Sequence, residues 1–325
     1  MHAIRQYEFG SPGKLRYEEL PDPSPASDQV RIAVEASGVH LIDTAIRNGE
    51  GPEYYARPEL PMVPGREVAG VVEAVGAGTD ESWADRRVVA HLGLASGGYA
   101  AKALAPAAAL HEIPARLDAD AAVAMIGTGR TATAILDTAA LRAEDVVLVT
   151  AAAGGLGALF IQAARNAGAS VVGVAGGTEK TERVRDLGAT AAVDYLSPDW
   201  PERVRDALQG REVSVVLDGV GGELGRQALE LLEPGGRMLV FGWSSGGPTK
   251  LTTMDIFTRS LTVTSGFGPD IGSPDRKREL EARALAQAAA GHLVPLISRF
   301  PLADAAAAHR ALESRATVGK AVLIP

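Results

Sequence analysis

A hydrophobic strand that runs straight into a glycine-rich turn and then an amphipathic helix limits the fold of this chain more than any other segment. Val146-Val147-Leu148-Val149-Thr150 leads directly into Ala151-Ala152-Ala153-Gly154-Gly155-Leu156-Gly157. The helix that follows sets Leu156, Phe160 and Ala164 on one face, and Gly168 ends it. Such a stripe has to be buried against the sheet that supplies the strand. Five more strand-sized runs follow, Val171–Val174, Ala191–Asp194, Val213–Leu217, Arg237–Phe241 and Leu261–Thr264, with helix-sized segments between them. Leu187-Gly188 and Gln209-Gly210 repeat the device of glycine just past a helix end. Right-handed crossovers between such strands predict a doubly wound parallel sheet in the order 3-2-1-4-5-6.

The first 121 residues have a different texture: short apolar or alternating runs between glycine and proline, at Val30–Val34, Val68–Val75, Arg86–Ala90, Gly98–Ala103 and Leu110–Ile113. They predict a compact, partly closed antiparallel sheet with few helices. Pro21-Asp22-Pro23-Ser24-Pro25 reads as a stiff surface connection. A helical stretch from Ala121 to about Leu141 opens the α/β part, and after Pro274 a charged, alanine-rich helix runs towards Gly291. Leu293–Ile297, Ala303–Glu313 and Ala321–Ile324 then repeat strand, helix, strand. The expected organisation is α/β with two domains: 1–121 with 292–325, mostly β, and 122–291, the parallel-sheet domain. A chain of 325 residues is long for one core, and a hydrophobic content of 46% supplies two. The net charge of -8 argues against a general nucleic-acid binder. No apolar signal core lies within Met1–Gly10, and no long apolar stretch lacks charge, glycine or proline, so a cytoplasmic protein off the membrane is expected. With no cysteine, disulfides and thiol catalysis are excluded.

The glycine turn has the setting of a dinucleotide loop. Gly154 lets backbone approach a pyrophosphate, Gly157 lets the helix lie close to the strand, and amides of Ala153, Gly155 and Leu156 offer donors at a helix N-terminus. Ala152 stands in the first glycine slot of the G-x-G-x-x-G pattern, a departure from it. NAD sites place an acid at the end of the next strand to bind the ribose hydroxyls. Here that strand ends Val174-Ala175-Gly176-Gly177-Thr178-Glu179-Lys180. Small residues leave room for a 2′-phosphate, Thr178 and Lys180 offer it a hydroxyl and a charge, and NADPH is favoured, with Glu179 the one counter-argument.

Ala36-Ser37-Gly38-Val39-His40-Leu41-Ile42-Asp43-Thr44, Pro64–Gly70, Gly129-Arg130-Thr131-Ala132, Ala151–Gly157, Val240-Phe241-Gly242 and the ending Ala316–Pro325 occur in an order and spacing that resemble the zinc-independent quinone oxidoreductases of the medium-chain dehydrogenase/reductase superfamily. The resemblance spans essentially the whole chain. It implies a GroES-like catalytic domain formed by both chain ends, a Rossmann domain, a cleft for NADPH and a homodimer. It also implies that Thr131 meets the nicotinamide, that Gly155 and Leu156 line the pyrophosphate, that Tyr195 lies near the adenosine phosphate, that Phe241 and Gly242 contact the nicotinamide side, and that Arg315 lies near the cofactor.

The departures from the family concern the substrate mouth. His40 stands where the family has Asn and where alcohol dehydrogenases have a zinc-binding cysteine, and Arg66 stands in the slot of a zinc-binding histidine. An arginine cannot be a ligand, and one imidazole does not hold zinc tightly. His40 is therefore expected to hydrogen-bond the ribose or a substrate oxygen, with Asp43 and Glu67 as further acids of the same motifs and Glu67 paired to an arginine. Tyr54 and Tyr55 are candidate acids on the loop from Gly49 to Pro61. Without a metal to polarise an isolated carbonyl, the expected acceptor is conjugated. A quinone delocalises the charge it receives. An enone or enoyl thioester is the alternative and needs a proton at its α-carbon. A non-catalytic NADPH-binding structural or sensor protein is the alternative of another class.

Overall fold

The computed structural model describes residues 1–50, 57–93, 96–268 and 270–325. In chain order the elements up to residue 128 are β1 (His2–Gln6), β2 (Leu15–Glu19), β3 (Gln29–Val39), α1 (Leu41–Asn48), β4 (Glu67–Val75), β5 (Arg87–His91), β6 (Lys102–Pro106), β7 (Leu110–Glu112) and α2 (Ala119–Ala124). The middle of the chain supplies α3 (Arg130–Ala139), β8 (Val146–Val149), α4 (Gly155–Asn166), β9 (Ser170–Ala175), α5 (Thr178–Asp186), β10 (Ala191–Asp194), α6 (Trp200–Leu208), β11 (Val213–Asp218), α7 (Gly222–Glu230), β12 (Leu232–Val240), α8 (Thr253–Arg259), β13 (Thr262–Ser265) and α9 (Pro274–Ala289). The end adds β14 (Ile297–Pro301), α10 (Ala305–Glu313) and β15 (Lys320–Ile324). Among the described residues no helix is long and apolar enough to cross a membrane.

The chain divides into two compact units, residues 1–128 with 295–325, and residues 129–294. In the first, the sheet runs β14-β15-β3-β4-β5-β7, with β6 also pairing β3. The returning tail enters it as β15, antiparallel to β3 through Ala321 opposite Val39. One core lies between these strands, around Val30, Ile32, Val68, Val72, Val88 and Leu110. A second, around Ile4, Val39, Tyr99, Leu302 and Leu323, joins the chain start to the returning tail. The first unit extends to Thr128, beyond the expected Ala121, because α2 packs on β3 and β4.

In the second unit the parallel sheet runs β10-β9-β8-β11-β12-β13, which is the expected order 3-2-1-4-5-6. Continuous apolar strands suit a sheet covered on both faces, and its core gathers Leu148, Val172, Val174, Val216, Met238 and Trp200. Gly168 takes a φ of 81° where α4 ends, the left-handed cap its sequence predicts.

Two segments differ from expectation. Residues 98–101 leave the ladder: Tyr99 N donates to Pro64 O at 2.8 Å and Ala100 bridges to Ala3, so β6 starts only at Lys102. Residues 293–296 form no strand. The backbone of Val294 is claimed by Gln162 of α4, whose amide donates to Val294 O at 2.8 Å and accepts from Val294 N at 2.9 Å, and β14 starts at Ile297.

Candidate functional site

In the second unit β8 and β11 are neighbours at the point where the strand order reverses, the place where open parallel sheets bind ligands beyond their carboxyl ends. Thr150, which follows β8, donates from Oγ1 to Asp218 Oδ1 at 2.9 Å and accepts from the Gly219 amide at 3.1 Å. Asp218 is fully buried at the end of β11 and also takes the Val220 amide at 3.0 Å and the Thr249 hydroxyl at 2.8 Å. These bonds fix the turn after β11. Phe241 lies over it: a side chain on Gly219 would collide with the Phe241 ring, which meets Phe160 edge to face at 5.3 Å.

The glycine loop joins this knot. Helix α4 begins at Gly155 with Gly154 as its cap and no side chain capping it, so its first-turn amides have no partner within the helix and face outward. A Cβ on Gly157 would clash with Ala151 O and sit 2.7 Å from Ala152 Cα, so only glycine lets α4 rest on the loop. Ala152 fits the first glycine slot because Gly173 faces it, where a Cβ would lie 2.8 Å from Ala152 Cβ. The Ala152 amide ties the loop to β9, donating to Val174 O at 3.0 Å. Beyond β9, the Gly177 amide donates to Asp194 Oδ1 at 2.9 Å, and Gly176 lies beneath Tyr195, whose hydroxyl would be 3.0 Å from a Cβ there. Thr178 is exposed and Lys180 half-buried in the first turn of α5. Thr131 is half-buried in the first turn of α3. The donor-rich, uncapped loop and the glycines around it fit a dinucleotide.

In the first unit the motif residues form a buried ionic cluster. His40 caps α1, its amide donating to Asp43 Oδ2 at 2.8 Å three residues on. Its Nε2 lies 2.6 Å from Glu67 Oε1, and Glu67 Oε2 lies 2.9 Å from Lys320 Nζ. Glu67 is fully buried and Lys320 nearly so, whereas the His40 side chain keeps 21% of its surface. Two glycines make the space: a Cβ on Gly38 or on Gly127 would strike the Glu67 carboxylate. Burial by itself would raise the Glu67 carboxyl, but His40 and Lys320 outweigh it and hold the group well below the usual carboxylate range. Burial likewise pushes the Lys320 ammonium below its ordinary value, with Glu67 opposing. Glu67 is thus paired to a lysine and a histidine, not to an arginine as the sequence suggested. Arg66 pairs instead with Asp43, Nε to Oδ1 at 3.0 Å, and that carboxyl is held low against the effect of its burial.

A chain of hydrogen bonds that sequence reading missed leads away from Asp43. Tyr99 donates to Asp43 Oδ2 at 3.2 Å, Tyr99 Oη lies 3.2 Å from His309 Nε2, and His309 Nδ1 lies 3.2 Å from Arg47 Nη1. Arginine only donates, so Nδ1 accepts, the proton sits on Nε2, and Tyr99 Oη receives it. The sequence carries no signal for this chain, since Arg47 and His309 are 262 positions apart. Lys320 was visible only as part of the terminal motif, and Asp218, one residue past the expected strand, not at all. Of the other expected site residues, Tyr54 lies outside the described residues, as does Tyr55. Arg315 belongs to the first unit, in a left-handed turn after α10 with a φ of 56°.

A β-rich unit completed by the chain's own tail and a doubly wound unit with an uncapped glycine loop together define a two-domain nucleotide-dependent oxidoreductase. Residues 26–115 match the family model of the alcohol dehydrogenase GroES-like domain, and residues 155–287 that of zinc-binding dehydrogenases. The chain is 34% identical to a 2-haloacrylate reductase of a Burkholderia species, over 98% of this chain and 97% of the other. It is 31% identical to the quinone oxidoreductase of Sus scrofa, over 100% and 98% of the two chains. The solved structure of Escherichia coli quinone oxidoreductase complexed with NADPH superposes with a TM-score of 0.84 at 30% identity, covering 100% of both chains. The chain belongs to the medium-chain dehydrogenase/reductase superfamily, among the quinone oxidoreductases.

The zinc of the family model's description finds no fitting residues here. Among the described residues no three His, Cys, Asp or Glu side chains gather where an ion would bind. The would-be ligand set holds Arg66, and a lysine ammonium already neutralises Glu67.

Proposed function

We propose that the protein is an NADPH-dependent reductase of conjugated acceptors, with a quinone as the preferred acceptor. The observation that carries this reading is the His40–Glu67–Lys320 cluster with its Arg66–Asp43 neighbour, which puts paired side-chain charges at motif slots that zinc ligands hold in alcohol dehydrogenases. Such a cluster binds no Lewis acid, so the acceptor has to spread the incoming negative charge over its own conjugated system. NADPH supplies the hydride when bound. Ala153, Gly154, Gly155, Leu156 and Gly157 receive its pyrophosphate on backbone donors; Gly176, Thr178, Lys180 and Tyr195 hold its adenosine end; Thr131, Phe241 and Gly242 orient the nicotinamide. Arg315 is a further cofactor residue. His40, Asp43, Arg66 and Tyr54 position the acceptor and exclude water from it.

A second reading, reduction of the C=C bond of an enone or 2-substituted acrylate, is favoured by the His40–Glu67 contact, since such an acceptor needs a proton as well as a hydride. Product identification under anaerobic conditions with quinones, enones, enoyl thioesters and 2-substituted acrylates tests both. Hydroquinone as the fastest product supports the first; a saturated product with no quinone turnover overturns it. NADPH binding without oxidation by any of these acceptors overturns both and leaves a non-catalytic binding protein.

The preference for NADPH has its own test. Lys180→Ala should raise the NADPH KM by more than about tenfold, the loss of one charge-assisted contact, and leave the NADH KM nearly unchanged. Equal losses for the two cofactors would contradict a 2′-phosphate contact.

A further inference from the structure

We propose that Asp218 is a positioning residue for the nicotinamide half of the cofactor, acting through the turn Gly219–Gly221 and the loop 243–249 that it ties together beside Phe241 and Gly242; the role rests on the cofactor contacts proposed above. Asp218 ends β11 and is fully buried. Four donors converge on its carboxylate. Oδ1 takes the Thr150 hydroxyl at 2.9 Å and the Val220 amide at 3.0 Å, Oδ2 takes the Thr249 hydroxyl at 2.8 Å, and the Gly221 amide is shared between them at 3.3 and 3.2 Å. A carboxylate presents two accepting oxygens to such a set, where an asparagine offers one. The donors come from three segments: the end of β8, the turn after β11 and the stretch that leads into α8.

Main-chain bonds complete the same unit. The Ser244 amide donates to Gly219 O at 3.1 Å, the Ser245 amide to Val220 O at 2.9 Å and the Gly222 amide to Gly247 O at 2.9 Å. The Phe241 amide donates to the main-chain oxygen of Asp218 itself at 2.9 Å. Missing side chains let the segments meet. A Cβ on Gly221 would strike Gly247 O, and one on Gly225 would strike Thr249 Oγ1 and lie 2.6 Å from Asp218 Oδ2. With the Phe241 ring against Gly219, the turn, the loop and the aromatic form one packed body at the carboxyl ends of β11 and β12.

A buried carboxylate is costly to desolvate, and an apolar side chain could close this strand without that cost. What the acid returns is rigidity, because a fully satisfied buried network fixes its members in one arrangement. The place it fixes carries the consequence. Phe241 and Gly242 are the residues assigned to the nicotinamide, and hydride transfer falls steeply with small displacements of the reacting carbon. The adenosine end is assigned to a different turn, after β9, where the Gly177 amide bonds to Asp194. Loosening the Asp218 network should therefore be felt at one half of the cofactor.

The test uses the full chain with Asp218→Asn and with Thr249→Val, which removes one bond and keeps the side-chain volume. Without cofactor, amide hydrogen exchange across residues 219–222 and 241–249 should quicken by about tenfold, the lower range for losing a hydrogen bond to a charged group, and stay unchanged across β9 and α5. By the same measure both variants should weaken NADPH binding about tenfold, and binding of adenosine 2′,5′-bisphosphate, which lacks the nicotinamide, by less than about twofold. Equal losses for the two ligands would show an acid that only stabilises its domain, and unchanged NADPH binding would show a network with no part in holding the cofactor; either result overturns the proposal. Phe241→Ala separates this failure from that of the cofactor reading. If it weakens NADPH alone while the Asp218 and Thr249 variants weaken neither ligand, the proposed contacts stand and the Asp218 role falls. If all three variants weaken neither ligand, the nicotinamide contact proposed above falls, and the Asp218 role with it.

Discussion

Lys320→Met should lower the unfolding free energy by about 3–5 kcal/mol at neutral pH, the range for leaving one member of a buried ion pair without its partner. Lys320 is 5% exposed and lies 2.9 Å from a carboxylate that is fully buried. Methionine fills much the same volume, so packing is largely kept and the loss reports the charge. Glu67 would retain only His40 and would drift upward towards protonation as the least costly escape. Glu67→Gln added to Lys320→Met removes that stranded charge and should recover more than half of the loss. Urea unfolding of the single and double variants makes the comparison. A cost below about 1 kcal/mol for Lys320→Met, the size expected of a surface pair, would mean that the ammonium is solvated in solution and that the cluster is not the buried unit described here.

Acidification should destabilise the protein between about pH 6.5 and 4, and His309 should be a main cause. Burial, the leading influence, pushes its imidazole from 6.5 down to about 4, with Asp43 opposing and Arg47 adding to it. The unfolded chain therefore binds a proton at His309 before the folded chain does. This contribution is fully present above pH 6.5 and is lost as the pH falls through that window. At about 1.36 kcal/mol per pH unit the loss approaches 3 kcal/mol. Asp43 and Glu67, held low in the folded state, add their own loss only further down, as the pH falls through the carboxylate range and below. His309→Leu should be less stable at neutral pH, because Tyr99 and Arg47 lose a partner, yet its stability should change less between pH 7.5 and 5. The same slope in both proteins would assign the pH dependence to other groups.

The parts of the fold legible in the sequence were those written locally. The strand order of the parallel sheet followed from apolar runs of four or five residues and glycines just past helix ends, because each crossover is short and its handedness is set. The return of the tail to the first unit was legible only as a change of texture. Segments 98–101 and 293–296 were misread as strands because the partners that claim their backbones, Pro64 and Gln162, are distant in sequence. The candidate site divides in the same way. The glycine loop was legible because the backbone and its missing side chains do the work. The ionic cluster was only half legible: His40, Asp43, Arg66 and Glu67 stood in the right motifs, but their partners did not. Glu67 was assigned an arginine and has Lys320, which comes from the other end of the chain. Asp43 acquires Arg66 and Tyr99, and His309 enters by a contact between residues 262 positions apart.

The account turns on hydride transfer without a metal. Its most direct test is anaerobic turnover by the full chain after exhaustive treatment with a chelator, following NADPH consumed and hydroquinone formed in the same sample. The account predicts one hydroquinone per NADPH at a rate that chelation leaves unchanged and added zinc does not raise. A rate that disappears with the chelator and returns with zinc would contradict it.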